Sequence, residues 1–305
     1  MATPTADVAV IGGSGFYEME GLTEVEEVRL DTPFGPPSDA LVIGTLAGRR
    51  VAFLPRHGTG HRLLPTEIPV RANVWALKAL GVHHIISVSA VGSLREELAP
   101  THFVVPDQII DRTRGRAATF FGEGLVAHIP FADPFCPHLS QLLAEAGGAA
   151  GATVHRGGTY VVMEGPAFST RAESHLYRSW GASLIGMTAL PEAKLAREAE
   201  ICYAQLAAVT DYDVWHESQE DVTADLILAT LRANVETAKR IVRLAVAGLA
   251  PCGDACTNAL ATALVTPFHL VPEATKQRLR PIIARYLPEE QASGAAGAPP
   301  GGERG

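Results

Sequence analysis

A single α/β domain, with a largely buried sheet flanked by helices, is the fold class this 305-residue sequence predicts, on three observations. Short β-branched runs alternate with helical periods from residue 7 to residue 249, the signature of strands covered by helices. The chain is 47% hydrophobic but only 6% aromatic, so its core is mostly aliphatic, as in sheets buried on both faces. Its length suffices for one large core without disulfide support.

In order, residues 7–11, 40–44 and 50–54 read as strands, and 66–80 as a helix with Pro69 tolerated in the first turn. Residues 83–90 are strongly β-prone and end in the turn Val91-Gly92-Ser93. Further strands follow at 159–163, 183–187 and 201–210, separated by helices at 171–180 and 191–200. The last helix is the clearest: Ile227, Leu231, Val235, Ala238, Val242, Ala245 and Leu249 recur at spacings of four and three, making one apolar face. A Pro/Gly break then divides the chain into a domain over 1–250, a helical extension over 251–290, and a Gly/Ala/Pro-rich tail over 291–305 expected to be disordered.

The formal net charge of −8 leaves no electrostatic footprint for nucleic acid. No apolar run is long enough for a bilayer, and the N-terminus lacks the basic region of a signal peptide, so a cytoplasmic protein is expected. Cys136, Cys202, Cys252 and Cys256 show no paired framework in sequence and read as plain thiols, with no metal expected.

Candidate chemistry gathers at strand ends, where open α/β sheets bind ligands. Gly12-Gly13-Ser14-Gly15 offers backbone N–H groups and a hydroxyl suited to phosphate. A dinucleotide reading fails, because the frame from Gly13 meets Glu18 where Gly or Ala is needed. Arg56-His57-Gly58 follows the 50–54 strand with a fixed cation and an imidazole as donors. His57 and His61 are spaced like a zinc helix, but Gly58 and Gly60 oppose a helix, so no metal is assigned. Ser89-Ala90 and Met187-Thr188 end two further strands with hydroxyls and backbone donors. Each motif alone is more often structural; together they point to one shared anion.

Asp211 and Asp213 end the 201–210 strand at i and i+2, facing roughly the same way. Solvated turn aspartates are the usual fate of that pattern. A base-recognition pair, one carboxyl kept protonated by burial and its neighbour, is the functional alternative. Phe168, in Glu164-Gly165-Pro166-Ala167-Phe168-Ser169, is either a core residue or an aromatic stacked on a base.

Together with Thr32-Pro33-Phe34-Gly35, Gly92-Ser93-Leu94-Arg95-Glu96-Glu97 and Arg171-Ala172-Glu173-Ser174, these motifs resemble the 5'-methylthioadenosine phosphorylases of the trimeric purine-nucleoside-phosphorylase family, over residues 7–249. The resemblance implies a central mixed, twisted sheet flanked by helices and a homotrimer. It also implies phosphorolysis of 5'-methylthioadenosine to adenine and 5-methylthioribose-1-phosphate, with inorganic phosphate as co-substrate and no cofactor. By the same resemblance, phosphate is held by Ser14, Arg56, His57, Ser89, Ala90 and Thr188. Met187 meets the ribose, Phe168 and Ser169 the purine, and Asp211 and Asp213 its N7 and 6-amino edge, with Asp211, Asp213 and His57 as the catalytic set. Ala224 lines the 5' pocket, and His128 matches a contribution from a neighbouring subunit. Relatives acting on 6-oxopurines carry Glu and Asn where Ser169 and Asp211 stand, so adenine is favoured over hypoxanthine; a 6-oxopurine or 5'-methylthioinosine phosphorylase is the nearest alternative. Gly186 departs from the family, whose members carry Asn there beside the ribose.

Overall fold

Aliphatic runs build the first half of the sheet: β1 (Val8–Gly12), β2 (Thr23–Val28), β3 (Leu41–Leu46) and β4 (Arg49–Pro55), then helix α1 (Val70–Ala79) and the long strand β5 (His84–Ser93). The second half holds β6 (Phe103–Val105), β7 (Gln108–Arg112), helix α2 (Pro137–Ala149), β8 (Val154–Arg156) and β9 (Thr159–Met163). Then come α3 (Arg171–Ser179), β10 (Leu184–Gly186), α4 (Ala189–Glu198), β11 (Cys202–Asp211), α5 (Ala224–Ala247), α6 (Asp254–Thr257) and α7 (Glu273–Ile283). This computed structural model describes residues 5–13, 19–216 and 224–288. The predicted tail at 291–305 lies outside them.

The strands form one mixed sheet in the order β2-β3-β4-β1-β5-β10-β9-β7, with β11 also on β5 and leading to β6 and β8. Helices cover it, as the alternating pattern predicts. Every residue of β11 is buried, which a strand covered on both faces requires. β5 is the branch point. Along one edge it runs parallel to β11 from His84 to Gly92. Along the other it pairs with β1 only as far as Ser87, then with antiparallel β10 from Gly92. Residues 88–91 therefore have no strand neighbour on that edge.

Several elements are absent from the sequence reading. β2 is a charged, exposed edge strand, Thr-Glu-Val-Glu-Glu-Val, whose composition is that of a guarded sheet edge rather than a core strand. α2 begins with Pro137 at its first position and ends through the poor helix formers Gly147 and Gly148. β6 and β8 have three residues each, too few for periodicity to register. The predicted 66–80 helix starts at Val70, after Pro69.

The segment after residue 250 packs into the main core. Leu260, Ala263, Leu279, Ile282 and Ile283 are buried in the same apolar cluster as Leu77 and Leu80. The Trp75 indole donates to the Arg278 carbonyl at 2.9 Å, tying α1 to α7. Leu279→Ala should therefore lower unfolding free energy by ~2–5 kcal/mol, as core truncations do. Denaturant titration checks this; a change within ~0.5 kcal/mol would mean that the extension adds nothing to the core.

Candidate active site

Arg56 follows β4, and its side chain turns under the sheet rather than into solvent. It and Glu192 are each 2% exposed and form a buried ion pair. The guanidinium donates through Nε and Nη2 to Glu192, through Nη2 to Ser87 Oγ at 2.6 Å, and through Nη1 to the Val88 carbonyl at 3.1 Å. Ser87 Oγ and the Tyr203 phenol both donate to Glu192 Oε2 at 3.0 Å. Burial opposes the charge on Arg56, and Glu192 more than offsets it. Nη1 thus satisfies a carbonyl in the stretch of β5 that lacks a strand on that edge.

Beside this pair, hydroxyl donors collect without a matching acceptor. Gln205 donates to Ser89 Oγ at 2.6 Å, which leaves the serine proton for a ligand. Thr188 is buried at the N-cap of α4 yet makes no side-chain cap. Tyr160, fully buried on β9, has no hydrogen-bond partner for its hydroxyl among the described residues, although Ser89 and the Thr188 backbone lie beside it. Burial pushes the phenol up to about 12, so it keeps its proton. A Cβ at Gly186 would lie 2.1 Å from that hydroxyl, which explains why glycine stands at this position. The half-buried backbone of Ala90 completes the group.

Farther along, carboxyl groups collect instead. Asp211 and Asp213 lie beside Gly92, whose absent Cβ would sit 3.0 Å from Asp211 Oδ1. Both are buried, which excludes the solvated-turn reading. Asp211 accepts from the Asp213 backbone N–H at 2.8 Å and from Thr210 Oγ1 at 2.7 Å. Burial, reinforced by Asp213, nevertheless raises its pKa to about 6. Burial raises Asp213 too, against Ser174 and Ser169 nearby, and its Oδ2 is buried with no partner among the described residues. Ser169 is buried, its hydroxyl directed at Met163 Sδ at 3.8 Å. Phe168 is 42% exposed and so is not a core residue. Met187 is half-buried, its carbonyl held by Arg116 Nη1 at 2.6 Å. Arg116 also binds Glu164 and the Leu190 carbonyl, fixing the loops that carry Met187 and Phe168. Ser89 and Gly92 are three positions apart on β5, about 10 Å of strand.

The other expected residues are placed as follows. Ser14 lies outside the described residues. Ala224 opens α5, but its side chain is not among those described. His128 is exposed, and its backbone N–H donates to the Ala263 carbonyl at 2.9 Å; among the described residues no hydrogen bond joins it to Ser89, Thr188 or Asp211. His57 Nδ1 pairs with the Leu63 carbonyl at 2.8 Å. Burial, with Arg56 adding to it against that bond, lowers its pKa to about 4. It is therefore neutral near pH 7, with Nδ1 protonated and Nε2 an acceptor, not the additional donor that the sequence suggests.

A sheet with donors over one part of β5 and carboxyl groups over the next has counterparts among known proteins. The family model described as "Phosphorylase superfamily" matches residues 7–247. This chain belongs to that superfamily. Within it, the chain is 60% identical to an S-methyl-5'-thioadenosine phosphorylase of Geobacter sulfurreducens, covering 92% of this chain and 99% of the relative. It is 61% identical to one of Chloroflexus aurantiacus, at 92% and 99% coverage. A crystal structure of a methylthioadenosine phosphorylase from an antarctic soil metagenomic library superposes with a TM-score of 0.88, at 50% identity and 92% and 99% coverage. The Schistosoma mansoni methylthioadenosine phosphorylase in complex with adenine gives 0.76, at 41% identity and 80% and 91% coverage.

What this phosphorylase superfamily member hides from sequence reading is the support beneath the strand ends. Gln205 is a polar residue inside the apolar 201–209 run, and Glu192 lies on the apolar face of α4; both were visible as anomalies. Tyr160 and Arg116 carried no such signal. Removing one member of a buried ion pair leaves the other uncompensated. Glu192→Gln should therefore cost ~3–5 kcal/mol of stability by denaturant unfolding, and a loss below ~1 kcal/mol would show the pair to be dispensable.

Proposed function

We propose that the chain cleaves 5'-methylthioadenosine with inorganic phosphate, releasing adenine and 5-methylthioribose-1-phosphate. The observation that carries this reading is complementarity along one strand. Uncommitted donors at Ser89, Thr188 and Tyr160 suit an oxyanion, while buried carboxyls at Asp211 and Asp213 suit the N–H-bearing edge of adenine. The names of the relatives support the same substrate.

In this reading phosphate lies against Ser89, Ala90, Thr188 and Tyr160, with Ser14 closing the site and Arg56 supplying positive charge behind it. His57 Nε2 accepts a phosphate O–H. Breaking the C1'–N9 bond leaves positive charge on the sugar and negative charge on the purine; the phosphate stabilises the first and captures it with inversion. Asp211, protonated below about pH 6 in the empty site, donates to N7 and improves the leaving group. Asp213 Oδ2 accepts from the 6-amino group, and Phe168 stacks on the ring while Ser169 borders it. Met187 holds the ribose, and Ala224 lines the 5' pocket. No metal or organic cofactor takes part in this chemistry.

We also assign the protein to the cytoplasm as a homotrimer. No helix among the described residues is long and apolar enough to cross a membrane. Val126 and Val265, joined through a backbone hydrogen bond at 2.9 Å, expose apolar surface beside His128 that suits a neighbouring chain.

The reading is tested by purine release from 5'-methylthioadenosine and 5'-methylthioinosine, each with and without phosphate. Rapid, phosphate-dependent release of adenine is expected; preference for the inosine compound, or release without phosphate, would overturn it. Asp211→Asn should reduce turnover of methylthioadenosine by ~10²–10⁴-fold. It should also abolish the decline of kcat/KM above about pH 6 that loss of the Asp211 proton produces. Tyr160→Phe should raise the KM for phosphate by roughly 10- to 100-fold, the cost of one hydrogen bond to a charged ligand. The nucleoside KM should stay within about twofold, since the lost bond is to phosphate alone. An unchanged phosphate KM would remove Tyr160 from the site.

A further inference from the structure

We propose that Cys136, Cys202, Cys252 and Cys256 form a structural binding site for a single zinc ion. In sequence they appear unrelated, and plain thiols are the expectation. The fold overturns their isolation. Cys136 is the N-cap of α2, Cys202 opens β11, and Cys252 and Cys256 bracket the start of α6. Their four Sγ atoms all lie within 4.8 Å of one another, and no other such group of potential ligands occurs among the described residues.

The geometry fits one tetrahedral ion. Thiolates at about 2.3 Å from zinc lie about 3.8 Å from each other, so the cluster needs to draw in by no more than about 1 Å. Cys136 and Cys252 are already at 3.3 Å. Four thiolates and no water position describe a closed, structural site rather than a catalytic one.

At Cys136 the surroundings favour ionised sulfur. Cys136 Sγ accepts the Leu139 N–H at 3.5 Å, at the positive end of the 13-residue helix α2. Cys136, Cys202 and Cys256 are buried among Leu139, Ala245 and Leu249, which excludes competing water. Cys252 is half-buried and borders a cleft of about 170 Å³, together with His84 and His138. That cleft gives the ion a path in, and the two imidazoles are available as outer partners to the thiolates.

The ion would act as a clamp. Cys252 and Cys256 follow the break at the end of α5, while Cys136 and Cys202 belong to the body of the sheet. One ion would close a loop of more than a hundred residues and fix where the C-terminal segment begins. Two disulfides are the competing chemistry for the same four sulfurs. They require an oxidant and a compartment other than the reducing cytoplasm.

The test uses the full-length protein, purified with zinc in the growth medium. About one equivalent of zinc per chain is expected by elemental analysis, the count a single tetrahedral site sets. All four thiols should react completely with an alkylating agent once chelator and denaturant are present, without any reductant. Reduced, metal-free protein titrated with Co²⁺ should develop the intense visible bands of a tetrahedral tetrathiolate, saturating at one equivalent and bleached by zinc. Cys252→Ser, at the exposed edge of the cluster, should retain the fold and lose metal affinity by more than the ~10–100-fold typical of an outer-shell partner. Failure of the reduced protein to bind Co²⁺ in this way would overturn the proposal. So would thiols that remain unreactive after chelation and denaturation but appear on reduction, which would establish disulfides.

Discussion

The site rests on the buried contact between Arg56 and Glu192. A guanidinium and a carboxylate taken out of water gain little net stability, because desolvation consumes most of their attraction. What they provide here is position. Arg56 also reaches the carbonyls of Ile11 and Val88, and Glu192 collects Ser87 and Tyr203. One pair thereby joins β1, β4, β5, β11 and α4 at the level where β1 and β4 end. Ser89 and Thr188 each lie within a few residues of these anchors, so their hydroxyls inherit a fixed geometry. Such preorganisation lets a site hold charge without rearranging.

Above that floor, unmet hydrogen-bonding capacity has a direction. At the Ser89 end the surplus is in donors, because the Tyr160 hydroxyl has no hydrogen-bond partner among the described residues and Ser89 Oγ already accepts from Gln205. At the Asp211 end the surplus is in carboxyl groups, because Asp213 Oδ2 is buried without a partner among the described residues and burial pushes Asp211 toward protonation. Asp213 further adopts a left-handed φ of 51°, a conformation Asp tolerates better than most residues and one that concentrates at functional sites. A buried polar group left alone costs free energy, and a ligand that pairs with these groups removes that cost.

Much of this was legible beforehand, for identifiable reasons. β1, β4, β5 and β11 are long aliphatic strands, and their ends carry the Gly, Ser and Asp residues that stop them, so periodicity and punctuation marked the candidate site. The Asp211-Tyr-Asp213 pattern revealed a pair, though not its burial, which depends on Gly92 and Ile185 from other strands. Short strands such as β6 and β8 escaped because three residues have no measurable period. Tyr160 escaped because a tyrosine in an apolar strand looks like any core aromatic; only its contact with Gly186 distinguishes it. The cysteines escaped because their proximity arises wholly from tertiary packing.

β5 carries both the hydroxyl at Ser89 and the glycine beside Asp211, with two residues between them. A strand clamped along its whole length by β11 cannot stretch or slip, so it serves as a ruler for the ligand. The separation between its two groups of side chains is fixed by backbone rise rather than by side-chain choice. Exchanging side chains at the Asp211 end can therefore change the chemistry there while the Ser89 end stays in place. Lengthening the substrate between those ends would demand a new strand register, and a shift of one residue would turn every buried side chain of β5 to the wrong face.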